Sequence, residues 1–271
     1  MSEPAHTIRI RVDATNPGQF FACCGLLELA SRLSEAKTPP VLGWFENRHS
    51  FLLSNAPPLT TLIKETTDAE LTARMPTDKL QTPLWLGPPF NLLVDWWRYE
   101  SRETGKLRTW AAQMSVCDVA LDMRRTMRLA CDSPAFVTDG LLEALSSTNE
   151  CEPFYFDALR ALNAKRRDVG FSVDALKKGS IHIKTMCRPA VEFFCLIGLQ
   201  RTRPRPTTRQ RGKERAYDYC TWTQPIPIEL LPVAVAGQFT SVGVSAYRFT
   251  NPSRTQDYRA FMTATPIPTK I

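Results

Sequence analysis

The chain of 271 residues has no long hydrophobic run. Its most apolar stretch, residues 20–30, spans only 11 positions and includes Glu28, whereas a membrane-spanning helix needs about 20 mostly apolar residues. The opening residues alternate polar and apolar side chains and contain no signal-peptide core. These absences predict a soluble, cytoplasmic chain that does not enter a membrane.

The motifs of metal and nucleotide chemistry are also missing. Only three histidines occur, and none has a second histidine or an aspartate nearby at metal-ligand spacing. The eight cysteines form no Cys-x-x-Cys pair. No glycine-rich loop precedes Lys-Ser or Lys-Thr, and no Gly-x-Ser-x-Gly elbow is present. We therefore expect no cofactor, no bound metal and no nucleotide hydrolysis by the Walker route.

Four of the cysteines lie inside apolar periodic segments: Cys23, Cys24, Cys117 and Cys195. In a long chain of ordinary composition, such residues are usually small hydrophobic core residues in a reducing cytosol. The spacing therefore predicts free thiols rather than a disulfide or zinc framework.

Hydrophobic periodicity gives the fold class. Hydrophobic and charged contents of 43% and 23% are close to globular averages. The periodicity predicts strands at 7–12, 217–223 and 244–250, a helix at 19–33, a long central helix at 106–130 and a buried helix at 190–200. No internal repeat and no clean linker stand out. We predict an α+β fold with a mixed or antiparallel sheet, packed helices and an opening strand–helix unit. It forms a single unit over 1–271 that could divide into two lobes, 1–150 and 151–271.

Positive charge is concentrated in one part of the chain. The net charge is +7, yet residues 160–215 hold fifteen Lys and Arg against four Asp and Glu, a net of +11. The remaining residues are therefore slightly acidic. A basic segment on such a body indicates a contact surface for a polyanion rather than general solubility.

The densest basic segment covers residues 200–215 and contains no large apolar side chain. It cannot bury enough surface to offset its ordering entropy, so we predict a flexible loop that neutralises phosphates on binding. The alternative is an ordinary solvated loop. The predicted phosphate-binding residues are Arg201, Arg203, Arg205, Arg209, Arg211, Lys213 and Arg215, with Lys165, Arg166, Arg167, Lys177 and Lys178 as further basic groups.

Asn16 and Gln19 flank a Pro-Gly turn that leads into the first helix. Side-chain amides in such a turn can read the edge of a base. Asn16 is equally suited to capping the helix, because its side chain can accept hydrogen bonds from the first free backbone amides. Both interpretations stay open on the sequence alone.

Two other functions compete with nucleic-acid binding. His182 lies on a predicted strand beside Lys184, a pair that could supply the base and the cation of a metal-independent ribonuclease. Alternatively, exposed aromatic residues such as Trp96, Trp97 and Trp222 could dock partner proteins in a purely structural scaffold.

One long stretch resembles the opening of a CRISPR-associated protein family found in type I-U loci, also called I-G. It reads Val12-Asp13-Ala14-Thr15-Asn16-Pro17-Gly18-Gln19-Phe20-Phe21-Ala22-Cys23-Cys24-Gly25-Leu26-Leu27-Glu28-Leu29-Ala30. Other segments extend the resemblance over nearly the whole chain: Asp95-Trp96-Trp97, residues 106–111, residues 167–172, residues 188–192, residues 221–225 and Tyr247-Arg248-Phe249.

The resemblance implies a nonenzymatic, large-subunit-like component of a Cascade effector complex in antiviral defence. Such a component reads the short motif flanking the target (the PAM) and helps to stabilise the R-loop, while base pairing reads the rest. The implied partners are guide RNA, target double-stranded DNA, other Cascade subunits and a recruited nuclease-helicase. The chain is short for a large subunit, without room for the helical-bundle domain that many carry.

Overall fold

The structure is a computed structural model. It describes residues 7–34, 39–74, 82–100, 107–110, 114–130, 140–147, 153–159, 186–204, 206–207, 216–239, 243–252 and 259–268.

Within these residues the chain forms an α+β fold, as predicted. The α-helices are α1 (Pro17–Leu33), α2 (Leu59–Asp68), α3 (Val116–Ala130), α4 (Pro189–Thr202) and α5 (Leu231–Val235). Short 3-10 helices cover Trp96–Tyr99 and Ile228–Leu230. The strands are β1 (Thr7–Arg11), β2 (Leu42–Asn47), β3 (Ser50–Ser54), β4 (Leu71–Ala73), β5 (Leu84–Leu86), β6 (Leu92–Val94), β7 (Ser146–Ser147), β8 (Met186–Cys187), β9 (Ala216–Cys220), β10 (Ala246–Thr250) and β11 (Thr265–Ile267).

All the strand pairs in the described part are antiparallel. The first sheet has the order β1-β3-β2, so β3 lies between the two strands that α1 connects. This is a split β-α-β unit. Strand β1 alternates exposed and buried residues, and Ile8 and Ile10 point into the core. The period-two prediction for this segment is confirmed.

Two more three-stranded sheets have the orders β11-β10-β9 and β4-β5-β6. The first of them is joined to β2 through the chain that follows β9. Gly43 and Ile226 exchange two backbone hydrogen bonds of 2.9 and 3.1 Å, and the indole Nε1 of Trp222 donates to the carbonyl oxygen of Gly43 at 2.8 Å. One contiguous set of buried apolar residues therefore draws on both halves of the chain.

Helices α1 and α4 form the central pair of the core. They run in the same direction, because Asp157 contacts the N-terminal ends of both helices, and Glu28 and Arg201 pair near their C-terminal ends. Their backbones meet at Gly25 and Gly198. A Cβ atom on either glycine would overlap a backbone carbonyl of the other helix. Only a residue without a side chain allows this approach.

The glycine contact is reciprocal, and it shows a short repeat that the sequence analysis missed. Gly25 lies against the carbonyl of Phe194, and Gly198 lies against the carbonyl of Phe21. Both helices carry the pattern Phe-Phe-x-x-x-Gly-Leu, at residues 20–26 and 193–199. The two helices therefore use equivalent positions to pack against each other.

The prediction of a helix over residues 106–130 is wrong in its first part. Helix α3 begins at Val116, and the described residues 107–110 are not helical. Their backbone oxygens are used by other segments: Asn251 donates to the carbonyl of Leu107, and the amide of Arg259 donates to that of Thr109. Tertiary hydrogen bonds have replaced the local helical ones here.

Burial of the cysteines is confirmed for Cys23, Cys24 and Cys195, whereas Cys117 is only half-buried. Burial raises the pKa of the Cys23 and Cys195 thiols well above the usual value, so both stay protonated and unreactive at neutral pH. None of the helices in the described ranges is both long and apolar enough to cross a membrane.

Candidate nucleic-acid interface

Helix α4 connects the two basic parts of the chain. Residues 160–185 precede β8 and α4 in sequence, and the arginine-rich segment begins in the last turn of α4 at Arg201. A helix of 14 residues is about 21 Å long. The described residues that follow 160–185 and those that precede 205–215 thus lie at opposite ends of this buried helix.

Arg201 is anchored rather than free. Its Nε donates to Oε2 of Glu28, and its Nη2 donates to Oε1 at 3.1 Å. Arg32 donates to the same carboxylate at 2.7 Å. The prediction of a flexible loop from residue 200 is therefore wrong for residues 200–202, because α4 continues to Thr202 and this ion pair holds its last turn.

The Glu28 carboxylate is 3% exposed, and its charge depends on the two arginines. Burial alone would raise the pKa of Glu28, but the hydrogen bonds and charges of Arg201 and Arg32 outweigh burial and hold it below its usual value. A carboxyl group whose pKa is lowered by folding adds stability above its unfolded pKa. That contribution disappears as the pH falls through the folded pKa.

Glu28→Gln should therefore lower the free energy of unfolding at neutral pH by about 1–2 kcal/mol, a value reduced because Arg201 is one-third exposed. We expect the difference from wild type to be greatest above about pH 5 and to vanish below the folded pKa. Urea denaturation between pH 3 and 7 measures it. Glu46→Gln, which breaks an ion pair with Arg9 in which both side chains are nearly half exposed, is the matched control. A difference that does not change with pH would contradict the account.

Arg203 and Gln200 fix the end of α4 to the turn after β6. The side-chain oxygen of Gln200 accepts hydrogen bonds from the amides of Asp95 and Trp96, at 2.8 and 3.0 Å. The amide nitrogen of Gln200 donates to Asp95 at 3.1 Å, and Nη1 of Arg203 donates to the carbonyl of Trp96 at 2.9 Å. Arg203 is thus a half-buried structural residue at the start of the basic segment.

Asn16 and Gln19 lie inside the protein, 1% and 3% exposed. The side-chain oxygen of Asn16 accepts from the amides of Gly18 and Gln19, and its nitrogen donates to Asp157 at 2.7 Å. Gln19 accepts from the amide of Asp13 at 2.7 Å. The capping interpretation of Asn16 is confirmed. The base-reading prediction is wrong for Asn16, whose amide is engaged inside the protein. For Gln19 it stays a prediction, because this side chain also lines a surface pocket with Arg11, His49 and Glu143.

The tryptophans predicted as exposed docking residues are buried. Trp96 and Trp97 are 2% exposed, and Trp222 is fully buried. Trp96 and Trp97 pack edge-to-face on each other and on Trp110, with ring centroids 5.6–5.7 Å apart. Such pairs stabilise the core beyond their buried area. The scaffold hypothesis therefore loses the aromatic surface on which it depended.

The described residues carry almost no excess charge: sixteen Lys and Arg stand against fifteen Asp and Glu. Many of the exposed cations lie in ion pairs, such as Arg9 with Glu46, Arg11 with Glu143 and Arg248 with Asp218. The positive excess of the chain therefore resides elsewhere, above all in residues 160–185 and 205–215.

Most of the predicted phosphate-binding residues fall outside the described ranges: Lys165, Arg166, Arg167, Lys177, Lys178, Arg205, Arg209, Arg211, Lys213 and Arg215, together with His182 of the ribonuclease hypothesis. The residues that flank 208–215 are described. The amide of Thr207 donates to the carbonyl of Ala216 at 2.8 Å, and Pro206 pairs with Tyr217. Both ends of this basic segment therefore meet at the start of β9.

The arginines near the end of α3 have mainly local partners. Arg124 donates to the carbonyl of Ala69, and Arg128 pairs with Asp68 at 3.3 Å. Burial, followed by the nearby charge of Arg128, lowers the pKa of Arg124. These contacts favour a structural role for both residues.

No protein-family profile, curated protein or solved structure matches this chain.

Proposed function

We propose that this chain is a nonenzymatic subunit of a type I-U (I-G) CRISPR Cascade complex that binds target DNA, guide RNA or both. In this role it helps to recognise the flanking motif and to stabilise the R-loop in the cytoplasm. The proposal combines the resemblance of the sequence with one structural observation. The described residues are nearly neutral, and many of their charges lie in ion pairs. The excess positive charge of the chain therefore lies in the segments that precede and follow helix α4 in sequence.

This distribution suits phosphate binding. A nearly neutral body contributes little nonspecific attraction, whereas clustered cations release counterions when they neutralise a sugar-phosphate backbone. The anchored Arg201 and Arg203 hold the start of the basic segment in place, and Arg205, Arg209, Arg211, Lys213 and Arg215 supply the charges. Guide RNA, the other Cascade subunits and the nuclease-helicase are the partners implied by this role.

The direct test compares Cascade assembled with and without this chain on target duplexes whose flanking sequence is randomised. Selection of a particular flank, and opening of the duplex beside it, should require the chain. If the complex without the chain selects the same flank and opens the duplex equally well, the proposed role is wrong.

The ribonuclease alternative needs its own experiment. Purified protein is incubated with repeat RNA, with His182→Ala as the comparison. The proposal predicts no cleavage by either protein. Cleavage by wild type that is lost in the variant would make the chain an enzyme and overturn the nonenzymatic assignment.

A further inference from the structure

A surface pocket of about 310 Å³ lies at the N-terminal ends of the two central helices. Gln19 lines it from the first turn of α1, and Arg188 lines it from the position before α4. Arg11 at the end of β1, Glu143 and Leu159 also contribute to its walls. Sites for small molecules commonly measure roughly 300–1,000 Å³. The pocket is therefore large enough for one small ring system.

Gln19 brings a buried hydrogen-bond donor to this pocket. The residue is 3% exposed, and its Oε1 accepts from the amide of Asp13 at 2.7 Å, which fixes the orientation of the carboxamide. Among the described residues, none accepts a hydrogen bond from its Nε2. Because buried polar groups in proteins are nearly always hydrogen-bonded, this nitrogen is suited to a bound ligand.

Arg188 is held firmly on the same pocket wall. Its Nη1 donates to the buried Asp157 at 2.8 Å, and its Nε donates to the carbonyl of Glu143 at 3.2 Å. The Glu143 carboxylate pairs with Arg11 at 3.2 Å, and Asp13 adds a second carboxylate to the lining. The pocket therefore offers both donors and acceptors from side chains that other contacts already position.

The formal charges of the lining side chains balance. Arg11 and Arg188 stand against Asp13 and Glu143, and the ring of His49 accepts a hydrogen bond at Nε2 and adds no charge. A phosphate would meet two carboxylates here, so the pocket does not suit an anion. A neutral group that both donates and accepts hydrogen bonds meets complementary partners. The edge of a nucleobase is such a group.

We propose that this pocket holds one unpaired base of a bound nucleic-acid strand, and that it favours bases with an amino group. The carboxylates of Asp13 and Glu143 only accept hydrogen bonds, and an exocyclic amino group offers two N–H donors where uracil and thymine offer one. Gln19 and Arg188 donate to the ring nitrogen or carbonyl beside that group, and Leu159, 45% exposed, lies against the ring. The base must be unpaired, because pairing occupies the same edge. The inference rests on the proposed nucleic-acid-binding function for the source of the base.

Uncharged nucleosides test the pocket without involving the basic segments. The purified chain should bind adenosine about 5- to 100-fold more tightly than purine riboside, which differs only in lacking the amino group. Glu143→Ala should weaken adenosine binding by a similar factor and leave purine riboside almost unaffected. Glu46→Ala is the matched control, because Glu46 is exposed to a similar degree and also pairs with an arginine but does not line the pocket. Titrations followed by ligand-detected NMR measure these affinities.

The outcomes separate this inference from the function on which it rests. If adenosine and purine riboside bind equally, or if Glu143→Ala and Glu46→Ala affect adenosine alike, the pocket does not read an amino group and the inference is wrong. If the wild-type chain binds oligonucleotides but no nucleoside at millimolar concentration, the inference fails and the function stands. If it binds adenosine through this pocket but no nucleic acid, alone or within Cascade, the proposed function fails, and with it a strand as the source of the base.

Discussion

Placing a methyl group at the crossing of α1 and α4 should destabilise the protein more than any exposed substitution. In Gly25→Ala the new Cβ would overlap the carbonyl oxygen of Phe194, and in Gly198→Ala that of Phe21. The obstacle is helix backbone, so the helices themselves must separate. Overpacking a core costs about 1–3 kcal/mol, occasionally more. Alanine regains up to about 1 kcal/mol of helix propensity, and we expect a net loss of about 2 kcal/mol.

Thermal and urea unfolding of the two single variants measure this loss. For a protein of this size we expect the melting temperature to fall by about 4–8 °C. Gly87→Ala is the control, because its new Cβ would lie 3.2 Å from the Cβ of Glu70, a much milder contact than the 2.0 Å to a backbone oxygen at Gly25 and Gly198. If Gly25→Ala and Gly198→Ala are as stable as wild type, the two helices do not pack as described.

Neutralising the basic segment should have the largest effect on function. Changing Arg205, Arg209, Arg211, Lys213 and Arg215 to Gln should weaken nucleic-acid binding by about 100-fold or more at low salt. The dependence of log affinity on log salt should flatten by up to about 0.9 per lost phosphate contact on a duplex and about 0.7 on a single strand. Binding titrations between 50 and 200 mM salt would measure both quantities.

A control with the same change in net charge separates a local effect from a global one. Arg9, Arg11, Lys64, Arg128 and Arg248 are exposed cations that lie in ion pairs on the described body. Changing these five to Gln should leave the salt dependence almost as in wild type. If both sets of five substitutions flatten it equally, attraction comes from net charge and not from the segment at 205–215.

Local periodicity was enough to predict the elements whose buried apolar residues recur at the regular spacing of a strand or a helix. The alternation at 7–12 gave β1, and the apolar spacing at 19–33 gave α1 to within two residues at its start. The structure also decided the role of Asn16, where the sequence left two interpretations open. Its oxygen caps the nearby amides of Gly18 and Gln19, and its amide also bonds with Asp157 and Ala158, more than 140 positions away in the chain.

The predictions that failed all depended on contacts between distant residues. From the sequence alone, Arg201 is expected to be a free cation, because its partner Glu28 lies 173 positions away in the chain. Trp96 and Trp97 are expected at the surface because periodicity places Trp110 in a helix. The sequence therefore does not show that Trp110 packs against both of them. The glycine crossing could have been predicted from the shared Phe-Phe-x-x-x-Gly-Leu pattern, which spans only seven residues in each helix.

Photo-crosslinking in the assembled Cascade particle, with crosslinked peptides identified by mass spectrometry, tests the central claim most directly. The account predicts nucleic-acid crosslinks within residues 160–185 and 205–215, and none on the ion-paired faces around Arg9 and Arg248. Crosslinks confined to those faces, with both basic segments unlabelled, would contradict it.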